Sequence, residues 1–202
     1  MDQLQSHFEI IADDLAEKGI CVLDGFLSHD ECDAIRRLPM YSGSIENLRR
    51  AGIGKETRQV SENVRGDFIQ WLDPEQVPDP LQSYIDKLRD LRLFLNRSLF
   101  LGLQDMEVHA ARYPAGAYYK RHLDQFSKDD HRRISVICYL NRDWQDHDGG
   151  SLRVYHEHGF SDHLPLEGRL VCFRSDLLEH EVLPATRERQ SITGWLLDRL
   201  KV

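Results

Sequence analysis

From Asp105 onward the chain breaks into short strand-like segments separated by turn residues, and this texture narrows the possible folds more than any other feature. MEVHAARY, AYYKRHLD, RISVICYL, SLRVYHE, RLVCFR, HEVL and RQSITGWLL follow one another within fewer than 100 residues. β-branched and aromatic residues are frequent in them, while Asp148-Gly149-Gly150 and Pro184-Ala185-Thr186 supply turn chemistry. Strands this short and closely spaced predict a sandwich or jelly roll.

The first half reads differently. Leu4, Phe8, Ile11 and Leu15 recur at helical spacing and Gly19 stands where a helix stops, so residues 3 to 18 are expected to be helical. Ile20 to Leu23 reads as a strand. Ser28-His29-Asp30-Glu31 has the spacing of a capping box opening a second helix that ends before Pro39. Leu81, Tyr84, Ile85, Leu88, Leu91, Leu95 and Leu99 give a long amphipathic helix over residues 81 to 103. Between them, residues 41 to 63 carry glycines at 43, 52 and 54 and little periodicity, which fits either an active-site lid or a disordered segment. The expected architecture is α+β with a mainly β core, a single domain over 1–202 in which residues 1–104 form a helical support for an antiparallel double-sheet unit at 105–198.

Charge and cysteine content exclude several classes. With a formal net charge of −8 and no Lys/Arg-rich stripe, attraction to nucleic acid or anionic lipid is not expected, and a protein substrate with basic character near its target fits better. No apolar run reaches the roughly 20 residues that span a bilayer, and MDQLQSHFEI lacks the regions of a signal peptide, so a cytoplasmic location is expected. The four cysteines are widely spaced and form no CxxC pair, which predicts buried thiols rather than a zinc knuckle or disulfides. The absence of heptads makes a monomer the default.

The chemistry concentrates in His122-Leu123-Asp124, His180 and Arg189. On a strand, residues i and i+2 share a face, so His122 and Asp124 can hold one ion together, and a third ligand from a distant strand completes a two-histidine, one-carboxylate set with open positions. That set suits iron(II) and oxygen chemistry. Its neutral imidazoles predict loss of metal below a pH of about 6.5. Arg189 offers a fork for a carboxylate, as a keto acid requires, and shares a strand face with Ser191, Thr193 and Trp195. Tyr139 lies on an apolar strand and needs a partner for its phenol: a carboxylate shared with Arg189, or a backbone carbonyl. The remaining histidines, His109, His131, His147, His156, His158 and His163 among them, read as surface residues.

Residues 60 to 198 resemble the prolyl hydroxylases that act on hypoxia-inducible factor, members of the iron(II)/2-oxoglutarate dioxygenases. The likeness is carried by Tyr113-Pro114, Arg121-His122-Leu123-Asp124, Tyr139 through Trp144, Gly149 through Arg153, His180-Glu181-Val182, and Arg189 with Ile192 through Trp195, preceded by Val64 through Trp71. Leu99 through Leu103 and His180 through Ala185 look closer still to bacterial members, which hydroxylate a proline of elongation factor Tu.

The resemblance implies a double-stranded β-helix, with residues 41 to 63 closing over a bound peptide. It implies iron(II) held by His122, Asp124 and His180, the catalytic centre, with 2-oxoglutarate and dioxygen as cosubstrates and ascorbate as a candidate reductant. Arg189 and Tyr139 would bind the far carboxylate of 2-oxoglutarate, and Tyr113, Leu152 and Thr193 would line its pocket. Trp195 and Arg132 would lie near the substrate proline, with Asp67 paired to Arg132. Two other readings stay open: a dioxygenase acting on another protein residue or a small molecule, and a non-catalytic jelly-roll module with structural zinc. Arg189 beside an open coordination position argues against the latter.

Overall fold

A computed structural model describes residues 3–51, 64–125 and 131–200. Two antiparallel sheets face each other, and four helices pack on the outside of the larger one. In chain order the elements are α1 (Gln3–Lys18), β1 (Ile20–Leu23), α2 (His29–Arg36), α3 (Pro39–Ser42), β2 (Arg49–Arg50), β3 (Phe68–Leu72), α4 (Asp79–Leu99), β4 (Asp105–Tyr113), β5 (Tyr119–His122), β6 (Arg132–Tyr139), β7 (Leu152–His156), β8 (Gly159–His163), β9 (Leu170–Arg174), β10 (His180–Val182) and β11 (Arg189–Leu197), with single 3-10 turns at Ile45–Asn47 and Asp146–Asp148. The seven-stranded sheet runs β1-β9-β6-β11-β4-β3-β2, and the four-stranded sheet runs β5-β10-β7-β8.

Period-two alternation divides each central strand between two cores. On β6, Ile134, Val136 and Cys138 join the helix-side core with Leu81, Tyr84, Ile85, Leu88, Leu91 and Leu95 of α4. Ile137 and Tyr139 turn the other way, into an inter-sheet core with Ala111, Tyr113, Leu152, Val154, Phe173 and Val182. The site is built in this second layer.

The capping box forms as expected: the Glu31 amide donates to Ser28 Oγ at 3.2 Å and the Ser28 amide to Glu31 Oε2 at 2.8 Å, an arrangement contributing about 1 kcal/mol. All four cysteines are free and buried. The fourth helix departs from its expected span. It starts earlier, with Pro80 in its first turn, and stops at Leu99 rather than 103 because the Asn96 side chain takes both the amide and the carbonyl of Leu103, each at 2.7 Å. Phe100 then turns the chain in the left-handed region at φ 55°.

The division into a helical first half and a sheet second half also needs correction. β1, β2 and β3, all from the first half, extend the seven-stranded sheet at both edges. Part of the anticipated 41–63 excursion is regular: it begins within α3, passes through a 3-10 turn, and pairs Arg49 with Ile69 and Arg50 with Phe68. Residues 52–63 of that excursion lie outside the described residues. No helix among the described residues is long and apolar enough to cross a membrane.

Candidate active site

His122 and His180 come together because β5 and β10 are neighbours in the four-stranded sheet, where these two residues are register partners. Asp124 lies two residues past His122, and ligating atoms of all three fall within 4.8 Å of one another. His122 Nε2 is 3.5 Å from Asp124 Oδ1, and His180 Nε2 is 3.6 Å from Asp124 Oδ2. Each imidazole turns its other nitrogen to a carbonyl, His122 Nδ1 to Lys120 O at 2.7 Å and His180 Nδ1 to Leu178 O at 3.2 Å. A carbonyl only accepts, so both Nδ1 atoms carry the proton and both Nε2 lone pairs face the carboxylate. That is the tautomer a metal requires.

Burial and charge set the protonation of this group. Burial alone would raise the Asp124 carboxyl, but the positive charge of an imidazole when it is protonated, that of His180 foremost, holds it well below the usual carboxylate range. Burial pushes His180 down to about 4. Proton competition at this ligand therefore begins well below the pH of about 6.5 expected for an unperturbed histidine. Tyr119 stacks on the His122 ring at 3.6 Å between centroids, and Phe173 meets His180 edge-on at 4.7 Å, which fixes both rings.

Across the inter-sheet layer, Arg189 opens β11 opposite Tyr113 of β4. Its guanidinium carbon lies 4.9 Å from the Tyr113 ring centroid and 4.8 Å from that of Tyr139. Arg189 Nε donates to Gly150 O at 3.1 Å, which aims the rest of the fork. Among the described residues neither Arg189 Nη2 nor the Tyr139 hydroxyl has a hydrogen-bond partner, although Arg189 is 2% exposed and Tyr139 0%. Two buried orphan donors side by side call for an acceptor, and the guanidinium makes an anionic one favourable. Burial raises the Tyr139 phenol, with Arg189 only partly offsetting it, so the phenol stays a neutral donor. Tyr113 and Leu152 are buried in the same layer. Thr193 shares their side of the sheet, its hydroxyl 3.3 Å from that of Ser191.

The opposite end of this face is aromatic. Arg132 lies over Trp195 with its guanidinium carbon 3.5 Å from the ring, and Trp195 is 6.2 Å from Trp71. The expected Asp67–Arg132 pair is absent: Asp67 takes both prongs of Arg65, at 2.7 and 2.6 Å, while Arg132 donates to buried Glu107 at 3.0 Å. Asp67 is better placed for Arg65 because both sit at one end of β3, and that pair holds Arg65 over Tyr119, 4.2 Å from the ring that backs His122. His109 also departs from its expected surface position. It is 3% exposed, between Trp71 at 5.1 Å and Trp195 at 5.5 Å. The sequence signal for this placement is alternation: His109 shares its face with Glu107, Ala111 and Tyr113.

The residues fit iron(II) and a 2-oxo acid. Two neutral imidazoles and one carboxylate make a three-ligand set, and the orphan donors of Arg189 and Tyr139 form a carboxylate cradle in the same layer.

Comparisons with known proteins agree with this geometry. Residues 108–197 match the model of the 2OG-Fe(II) oxygenase superfamily, a span that holds every ligand and the cradle. Egl nine homolog 1 of Rattus norvegicus is 31% identical over 205 residues, covering 96% of this chain and 60% of its own length. The chain spans 60% or less of the length of that protein and its mouse and human counterparts. The crystal structure of a Pseudomonas putida prolyl-4-hydroxylase is similar at a TM-score of 0.85 and 43% identity, covering 96% of this chain and 100% of that one. A Trichoplax adhaerens prolyl hydroxylase, in complex with a fragment of the hypoxia-inducible factor oxygen degradation domain, is similar at 0.84 and 27% identity over 97% and 91% of the two chains. With the His122, Asp124 and His180 cluster and the Arg189 and Tyr139 donors inside the matched span, and 43% identity to a Pseudomonas putida prolyl-4-hydroxylase over 100% of that chain, this chain belongs to the prolyl hydroxylases of the 2OG-Fe(II) oxygenase superfamily.

Proposed function

We propose that this protein hydroxylates a prolyl residue of a protein substrate, using iron(II), dioxygen and 2-oxoglutarate and releasing succinate and carbon dioxide. The observation that carries the reading is the pair of buried orphan donors, Arg189 Nη2 and the Tyr139 hydroxyl, in the same inter-sheet layer as His122, Asp124 and His180. Bound together, iron(II), 2-oxoglutarate and dioxygen supply the oxidising power to replace an unactivated C–H bond by C–OH.

The chain's own residues provide binding, orientation and dryness. Arg189 and Tyr139 donate to the far carboxylate of the cosubstrate, and the neutral phenol adds a hydrogen bond without a competing charge. Tyr113, Leu152 and Thr193 line the cosubstrate site, where Leu152, Val154 and Phe173 exclude water and so strengthen each polar contact. His122 and His180 hold their protons on Nδ1 and leave Nε2 for the ion. On the substrate side, Trp195 and Arg132, with Asp67 acting through Arg65, shape the approach of the peptide.

Elongation factor Tu is the substrate favoured by the phrases Leu99 through Leu103 and His180 through Ala185, which resemble those of bacterial members acting on that protein. The same reading takes the protein as a cytoplasmic monomer. The test is intact mass of elongation factor Tu after incubation with the protein, iron(II), 2-oxoglutarate and air, beside a His122→Ala control. The expected result is one added oxygen atom, mapped to a proline and missing from the control. Succinate formed without that addition would discard the target; no succinate under any condition would discard the activity.

A further inference from the structure

Ser135 and Ser175 are both 0% exposed, Ser135 between Ile134 and Val136 on β6 and Ser175 just past the end of β9. Ser135 Oγ lies 2.7 Å from Asp124 Oδ2 and 2.8 Å from Ser175 Oγ. We infer that these two hydroxyls form a directed relay that aims the Asp124 carboxylate at the metal position, with Ser135 the positioning residue; the inference rests on the metal reading above.

The direction of the relay follows from counting protons. Ser135 Oγ donates to Asp124 Oδ2, since a carboxylate that binds a metal ion can only accept. Ser135 has one hydrogen, so its bond with Ser175 must be accepted, and Ser175 donates. Each hydroxyl then has one role. Ser175 is itself fixed: its amide donates to Arg133 O at 3.0 Å, and its carbonyl accepts from the Gln125 amide at 3.2 Å. The anchor of the relay is thus tied to β6 and to the residue next to Asp124.

The geometry gives the relay a mechanical purpose. Asp124 follows β5 in the four-stranded sheet, whereas Ser135 is on the seven-stranded sheet, paired with Trp195 and Phe173. The Ser135–Asp124 bond therefore crosses the inter-sheet layer and sets the carboxylate against the opposite sheet. It turns Oδ2 toward the serine and leaves Oδ1 facing His122. Asp124 lies two residues past the end of β5, and the hydroxyl of Ser135 holds its carboxylate from the opposite sheet. Partners of this kind influence metal affinity by about 10- to 100-fold.

The test is titration of the metal-free protein with Mn(II), followed by the electron paramagnetic resonance signal of the free ion, for the wild type, Ser135→Ala, Ser135→Thr and Ser175→Ala. Apo-protein unfolding is measured on each as a check of a purely structural role. Ser135→Ala is expected to bind Mn(II) about 10- to 100-fold more weakly, Ser135→Thr to bind as the wild type does, and Ser175→Ala to fall between. Wild-type affinity in Ser135→Ala, or equal loss in Ser135→Thr, would overturn the relay while leaving the metal site in place. No Mn(II) binding by the wild type would overturn the metal reading and the relay with it. If Ser135→Ala does not fold, Ser175→Ala decides, since it keeps the Asp124 contact and removes only the anchoring donor; unchanged affinity there would count against the relay.

Discussion

The Arg189 guanidinium carbon sits 4.8 Å from the ring centroid of Tyr139, and the two side chains point donors into the same buried layer without sharing an acceptor. In a folded core such a pair is costly unless a ligand completes it. A carboxylate placed between them would recover that cost, which is the basis of the proposed cosubstrate site.

Arg189→Lys replaces a two-pronged contact by a point charge and shortens the reach to Gly150 O. One charge-assisted hydrogen bond is worth about 1.5–3 kcal/mol, so affinity for 2-oxoglutarate is expected to fall about 10- to 100-fold. Calorimetric titration of the Mn(II)-loaded protein without oxygen measures it. Unchanged affinity would remove Arg189 from the cosubstrate site.

Gly150→Ala tests how the arginine is aimed. Gly150 has φ +69°, and an added Cβ would sit 2.9 Å from Ala185 Cβ, 3.1 Å from Trp144 and 3.5 Å from Arg189 Cδ. The left-handed backbone alone costs roughly 1–2 kcal/mol, and the close contacts with Ala185 and Trp144 displace the Gly150 backbone and so shift the carbonyl that orients Arg189. Both lower stability and weaker 2-oxoglutarate binding are therefore expected; the first without the second would mean that Gly150 serves the turn alone.

Glu107→Gln keeps the shape of the partner of Arg132 but removes its charge. Arg132 is held over Trp195 by that carboxylate, so the substrate-side surface loosens. The KM for the protein substrate is expected to rise about three- to tenfold, the size of one weakened charge-assisted bond, and by more than the affinity for 2-oxoglutarate changes. Steady-state kinetics and calorimetry separate the two.

The parts of this site that were legible in the sequence are those governed by local period. His122 and Asp124 lie two apart at a strand end, and Arg189, Ser191, Thr193 and Trp195 alternate along one strand, so period two brings each set to one side before any tertiary contact is known. Pairings between strands follow no such rule. Asp67 and Arg132 are well matched in charge, but Asp67 takes Arg65, two residues away in the chain, and Arg132 takes Glu107 of β4. His109 is a polar residue between Val108 and Ala110, and nothing local to the sequence tells that its neighbours in space are two tryptophans supplied by β3 and β11. The strand Gly159–His163 was hidden for a related reason: it carries His, Ser, Asp and Gly on a sheet edge, where pairing with β7 rather than apolar burial keeps it extended.

His109 also sets a pH dependence. Burial pushes its pKa down to about 4, with Arg65 acting in the same direction and Asp67 against it. The unfolded chain binds a proton at this residue below a pH of about 6.5, whereas the folded protein does so only near 4. Between these values the unfolded state holds more protons, so the stabilisation is complete above about pH 6.5 and is lost as pH falls toward 4. Between pH 7.5 and 5 this single group is expected to remove about 2 kcal/mol from the metal-free protein. His109→Phe keeps a flat ring between Trp71 and Trp195 but cannot titrate. Its loss of stability over the same range should be smaller than that of the wild type by about that amount, as measured by urea unfolding at the two pH values. Equal losses in the two proteins would mean that His109 titrates in the fold as it does in the unfolded chain, and that burial between the two tryptophans does not suppress its protonation.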